Sequence, residues 1–162
     1  MATQKFEKTL QQGLLDRLID LEPGTRNESS ISRAESLRQF RAAVRRDLEW
    51  LLNSTRPHLD LPEAYQELEK SLLTYGLPDV SSMSIDNAGD QQRLLRSLET
   101  AIELFEPRLA RARVIGKERW KKGQQTITFH VEAILMIDPA PERISFDTVL
   151  EISKGAYSIK DT

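Results

Sequence analysis

A single proline divides this chain into two regimes of hydrophobic spacing. In QQRLLRSLETAIELFE the apolar residues Leu94, Leu98, Ile102 and Phe105 recur every three or four positions, the spacing of one helical face. Pro107 follows at once. Its ring clashes with the preceding turn and its nitrogen carries no proton, so the helix must stop there. Beyond it the period falls to two. In TITFHVEAILMI, Ile127, Phe129, Val131, Ala133, Leu135 and Ile137 alternate with Thr126, Thr128, His130 and Glu132, and the second half is apolar on both faces, which predicts a central strand. ISFDTVLEI repeats the alternation with Ile144, Phe146, Thr148, Leu150 and Ile152, after a turn containing Asp138-Pro139 and Pro141. Strands are expected over about 109 to 118, 126 to 137 and 144 to 152, with a short fourth near 156 to 160. Helices first and strands second make an α+β fold: N-terminal helices followed by a small antiparallel sheet of three to four strands.

The helical half has its own punctuation. Ser32 and Glu35 form an S-x-x-E capping box, and Leu37, Phe40, Val44, Leu48 and Leu51 follow at steps of three and four. Arg38, Arg41, Arg45, Arg46 and Glu49 take the wet side, and Asn53 and Pro57 close the helix. A third helix is expected from Pro62 to Tyr75, with Gly76 as a left-handed cap, then a loop in which Asp90 is the candidate N-cap of the fourth. Ahead of all these, Leu10, Leu14, Leu18 and Leu21, with Leu15 and Ile19 beside them, form a short amphipathic helix that Pro23-Gly24 ends. The polar stretch TRNESSISR after it reads as a linker, so this first helix packs on its own core or docks elsewhere. Residues 1–31 are accordingly set apart from a single domain over 32–162.

Composition removes whole classes of chemistry. Without cysteine there are no disulfides, thiolate zinc sites or thiol nucleophiles, and the chain suits a reducing compartment, the cytoplasm by default. The N-terminus lacks the basic and apolar regions of a secretory signal, and no apolar run approaches the ~20 residues that span a bilayer, so no direct membrane insertion is expected. Only His58 and His130 are present, and ordinary structural roles are expected of both; no P-loop, G-x-G-x-x-G or G-x-S-x-G occurs. Neither a metal nor another cofactor is expected. Glu99, Glu103 and Glu106 are candidate acids for glycoside hydrolysis, but on a helix they read first as a solvated face. RLARARVIGKERWKKG sets seven basic residues around Trp120 against the single acid Glu118, which suits a nucleic-acid patch as well as a water-facing hairpin. The net charge of -2 argues against nucleic acid.

An antiparallel sheet this small leaves two edges with unpaired backbone groups, which must be covered, charged or used to recruit another chain's strand. Arg111, Arg113, Lys117 and Arg119 stud the first strand, as a protected or partner-seeking edge would be. At the junction itself stands Glu106-Pro107-Arg108. Proline biases the residue before it toward extended geometry, where positions two apart share a face, so Glu106 and Arg108 are expected to project together. One reading is a helix stop dressed with an ion pair worth ~0–1 kcal/mol if exposed. The other is that Phe105 and Leu109 anchor the corner while the two charges bind another protein.

LFEPRL resembles the Glu-Pro-Arg signature of the baseplate wedge family of contractile phage tails, historically labelled lysozyme-like, and of its type VI secretion relatives, the TssE subunits. GLLDRLIDLEPG, VRRDLEWLLNSTRP and LLTYGLPDVSS are similar to further TssE motifs in the same order. The resemblance implies that 32–162 is a wedge domain with no catalytic residues, part of a cytoplasmic baseplate docked at the inner membrane through other subunits. It implies partners in the baseplate proteins TssF, TssG and TssK and the sheath proteins TssB and TssC, no nucleic acid, and priming of contractile sheath assembly. It carries partner binding onto Glu106, Pro107 and Arg108. The alternative from another class is a peptidoglycan hydrolase.

Overall fold

The computed structural model describes residues 10, 13–19, 32–58, 63–79, 83–84, 87–117, 120 and 124–161. They fall into two compact units, Met1–Arg46 and Asp47–Thr162. The linker predicted over 25–31 lies outside the described residues, as do Pro62 and most of the loop before Asn87.

In the first unit the described part of the leading helix is one turn and a half, α1, Leu14–Leu18, preceded by extended Gly13. Its leucines find no core: Leu14 and Leu18 are 75% and 73% exposed. The second helix, α2, Arg33–Asn53, begins in this unit and runs on into the other. Its capping box is half made as expected, with Ser32 Oγ accepting from the Glu35 N–H at 3.2 Å, while the Glu35 carboxylate turns outward to Arg38. Ser36 is buried and its Oγ accepts from the Leu10 N–H at 3.1 Å; Arg46 pairs with Asp16 at 2.8 Å. The apolar stripe is only partly covered at Leu37 and is buried from there on, at Phe40 and Val44 in this unit and at Leu48 and Leu51 in the next.

In the second unit the chain departs from expectation after α2. The third helix is not an α-helix. Residues Glu63–Lys70 and Leu72–Thr74 form two short 3-10 segments, and Tyr65 inside the first leaves helical geometry altogether. Gly76 does take the left-handed φ expected of it, 105°, directly after Tyr75 closes the turn in extended conformation. Glycine is needed there because a Cβ would lie 2.3 Å from the Ser54 carbonyl oxygen. That close approach carries a parallel bridge between Thr55 and Leu77, with Leu77 N–H donating to Ser54 O and Arg56 N–H to Leu77 O. The fourth predicted helix is α3, Ala88–Phe105. Asn87, not Asp90, is its N-cap: the Asn87 side chain accepts from the Gly89 N–H, whereas Asp90 sits buried in the first turn, held by the Ser84 N–H and by Arg93.

The sheet is a four-stranded antiparallel meander in the order β1 (Leu109–Gly116), β2 (Thr126–Leu135), β3 (Glu142–Glu151) and β4 (Ala156–Asp161). Alternation assigns its faces. Ile127, Phe129, Val131, Ala133 and Leu135 of β2 are buried, as are Phe146, Thr148 and Leu150 of β3, and residues between them face out. The buried stripe of α3, Leu94, Leu98 and Ile102, belongs to a helix that packs along β1. Phe129 and Tyr157 meet edge to face across the sheet with centroids 6.1 Å apart.

Candidate functional site

The junction of α3 and β1 is built by the residues that the sequence singles out. Glu106 caps α3 with its own N–H on the Ile102 carbonyl at 2.9 Å, and Pro107 then prevents another turn. Leu109 N–H returns to Glu106 O at 3.0 Å, and the Met136 N–H reaches Arg108 O at 2.8 Å, so the corner is closed by backbone bonds before any charge is counted.

Glu106 and Arg108 do come together, but not by projecting outward. Glu106 is 4% exposed. Its Oε1 accepts from Arg108 Nε at 2.6 Å and from the Arg108 N–H at 3.2 Å, while Oε2 accepts from Nη2 of the same guanidinium. Nη2 also donates to Asp47 Oδ2 at 2.7 Å. Two carboxylates therefore flank one arginine, in the side-on fork that arginine alone presents. Burial works against the charged guanidinium, yet hydrogen bonds and charge from Glu106 and Asp47 outweigh it and hold its pKa above the ordinary arginine value. Tyr75 feels the same cluster: burial first, then the negative charges of Asp47 and Glu106, raises its phenol, and its ring packs edge to face on Phe105 at 5.2 Å. Of the three motif residues, Glu106 is turned in, Arg108 is half-buried, and Pro107 stands exposed at the tip. The corner is thus a charged lock whose outer surface is largely proline and the rim of a guanidinium.

Asp47 is the member of this cluster to which the sequence assigned no role. It stands among the arginines and glutamates of VRRDLEWLLN, and only folding shows that it meets a residue 61 positions away.

The sheet margins also differ from the two bare edges expected. Along β1 the outward N–H of Val114 donates to Glu99 Oε1 of α3 at 2.9 Å. Along β4 the carboxamide of Asn53 stands in for a neighbouring strand at Tyr157: Oδ1 accepts its N–H and Nδ2 donates to its C=O, both at 2.9 Å. The second Nδ2 proton goes to Glu49 O at 2.8 Å. Each margin is therefore held at one position by a helix-borne side chain. The outward backbone groups of Ile159, two residues along β4, have no such partner among the described residues.

The candidate acids are placed accordingly. Glu99 and Glu106 spend their carboxylates on Val114 and Arg108, and Glu103 is exposed on α3. A concavity of about 530 Å³ opens between the start of α3 and the β3–β4 end of the sheet, with Asp79, Asp90, Trp120 and Tyr157 among its lining. Asp90 there is engaged by Ser84 and Arg93, and burial pushes Tyr157 up to about 12, so its phenol stays neutral near pH 7. No cluster of three metal-ligating side chains occurs among the described residues. His130 is bound instead to Asp147, Nδ1 to Oδ1 at 2.7 Å, and Lys117 reaches the other oxygen at 2.6 Å. His58 is exposed.

No curated protein matches the chain significantly. A chain in a solved structure described as "The baseplate complex from the type VI secretion system" is similar at 18% identity, over 68% of this chain and 93% of that one, with a TM-score of 0.47. The family described as baseplate wedge protein gp25 matches residues 38–140, a span that takes in Asp47, the Glu-Pro-Arg corner and the first two strands. On that match, which covers more than half of its length, the chain belongs to the baseplate wedge protein gp25 family.

Proposed function

We propose that this structural baseplate subunit serves in a type VI secretion machine, where residues 32–162 act as the wedge domain and residues 1–31 as an N-terminal extension. The observation that carries the reading is the family match across 38–140, within which the Glu-Pro-Arg corner falls at the turn from helix to sheet. The motifs shared with TssE supply the type VI assignment. Under it the subunit binds TssF, TssG and TssK in the wedge and primes the sheath proteins TssB and TssC, with its sheet as the template. It works at a cytoplasmic baseplate held to the inner membrane by other subunits, and none of its described helices is long and apolar enough to cross a membrane.

Glu106, Pro107 and Arg108 act in this reading as one key. The charged pair fixes the shape of the corner from inside, and Pro107 with the rim of Arg108 touches the neighbour. The role is structural rather than enzymatic, and two of the three candidate acids already hold the fold together.

Co-expression with TssF, TssG and TssK, followed by size-exclusion chromatography, tests the reading. Pro107→Asp adds a charge at the exposed tip and leaves the Glu106 and Arg108 side chains in place, so it is expected to abolish recovery of the wedge complex while the subunit alone still folds cooperatively, with a melting temperature only modestly lowered by the loss of the helix stop. Full recovery with this variant would remove the corner from the contact. Failure of the unmodified chain to join any wedge complex would remove the type VI assignment itself. Incubation with cell-wall material, in parallel, is expected to release no soluble fragments; release at catalytic concentration would restore the hydrolase.

A further inference from the structure

We infer that the outer face of the sheet, at the end marked by Arg111, Arg113 and Arg143, is a docking surface for an acidic protein segment. The inference rests on the arginines themselves and not on the family. Strand register brings them together. Arg113 lies opposite Glu132, which lies opposite Ser145, and in the next row Ala110, Ile134 and Arg143 face one another. Strand spacings of about 4.8 Å, and a step of about 7 Å between like-facing residues, set the Arg113 and Arg143 backbones roughly 12 Å apart on the diagonal. Arg111 joins them because the ladder slips between Ala110 and Arg113. Its φ of 54° is the left-handed conformation that a side chain-bearing residue rarely adopts, and the extra residue leaves Arg111 and Arg113 both exposed with buried Ala112 between them. All three arginines line one shallow concavity of about 500 Å³, with Ile134, the register partner of Arg143, as the aliphatic side chain on the same outward face.

None of the three has an ion pair or a side-chain hydrogen bond among the described residues. Other cations close to them in sequence are committed: Arg108 to Glu106 and Asp47, and Lys117 to Asp147. The acid in the concavity is Glu132, which is exposed and 3.9 Å from His130 Nε2. A chain of net charge -2 thus keeps on one small area three guanidiniums that are uncommitted among the described residues.

The chemistry of the concavity selects the partner. Ile134 between the arginines suits an apolar side chain of a peptide, and the lining holds no Phe, Tyr or Trp on which a base could stack. The overall charge gives no long-range attraction for a polyanionic backbone. Glu132 between the arginines disfavours a continuous row of phosphates but leaves separate positions for carboxylates spaced along a peptide, each a candidate for arginine's paired donors.

The test is fluorescence anisotropy of the full chain with a labelled peptide of alternating glutamate and leucine at low salt, with the lysine-leucine peptide and a short duplex DNA alongside. Saturable binding of the acidic peptide is expected, weakened about tenfold or more in Arg113→Gln/Arg143→Gln, a loss of about 1.4 kcal/mol or more. Arg113→Lys/Arg143→Lys should retain most of it. The glutamine variant is expected to melt like the parent because neither arginine has a side-chain partner among the described residues; the single variants keep the test decisive should the double one fold poorly. Equal affinity for parent and glutamine variants overturns the proposal. So does DNA bound more tightly than the peptide through the same two arginines, which assigns the face to nucleic acid instead.

Discussion

Arg108 and Arg113 stand a few residues apart and serve opposite ends. Arg108 is half-buried between Glu106 and Asp47, with its charge spent on fastening the helix–strand corner to the C-terminal part of α2. Arg113, with Arg111 and Arg143, sits on the open face of the sheet with its charge unspent. The comparison separates two uses of the same side chain. A buried guanidinium is tolerable only where carboxylates compensate its lost hydration, and such a group becomes part of the fold. An exposed guanidinium keeps its hydration and costs the fold nothing, so it is available to a neighbour.

Variants sharpen that contrast, and the largest effect is expected at the buried end. Arg108→Ala strands the Glu106 carboxylate inside the corner and should cost about 3 kcal/mol in urea unfolding; a loss below about 0.5 kcal/mol would place the pair among inert surface ion pairs. Asn53→Ala removes the carboxamide that covers the Tyr157 backbone and should cost about 1–2 kcal/mol, with faster hydrogen exchange at the Tyr157 amide. Unchanged exchange there would mean that the β4 margin is not held by Asn53.

A third, smaller effect depends on pH. The Lys117 ammonium first, and the His130 ring next, hold the Asp147 carboxyl below its ordinary value of 3.8. A carboxyl whose folded pKa is depressed stabilises the fold above its unfolded value and loses that contribution as pH falls through the lower, folded value. Asp147→Asn should therefore flatten the fall in melting temperature on acidification below about pH 4, and Lys117→Ala should lessen it. A parallel acid limb in all three proteins would show that the cluster contributes nothing. The smallest effect belongs to the bare arginines: Arg113→Gln and Arg143→Gln should each change stability by no more than about 0.5 kcal/mol. A larger loss would reveal an internal partner and erase the contrast with Arg108.

Much of the fold was legible because it depends on local patterning. The period of α3, its stop at Pro107 and the alternation through Ile127, Phe129 and Val131 each sit within one turn or one strand, whereas the order of the strands came only with the fold. Where the reading failed, a competing residue had intervened, once from far along the chain and once from close by. The segment before Gly76 carries the apolar spacing of a helix, yet Gly76 packs against the Ser54 carbonyl, and the chain between settles into 3-10 turns instead. Asp90 has the right chemistry for an N-cap, but Asn87 precedes it with the same chemistry and takes the position.

Of the corner, the sequence alone determined its place, its composition and the closeness of Glu106 to Arg108, since a proline between two charges fixes all three through local geometry. Tertiary structure decided that Glu106 turns inward, that Asp47 completes the cluster, that Glu99 and Asn53 hold the sheet margins, and that Arg111, Arg113 and Arg143 share one face. Those outcomes depend on which elements meet in space. Burial and charge compensation are settled between residues far apart in the chain, and no local period encodes them.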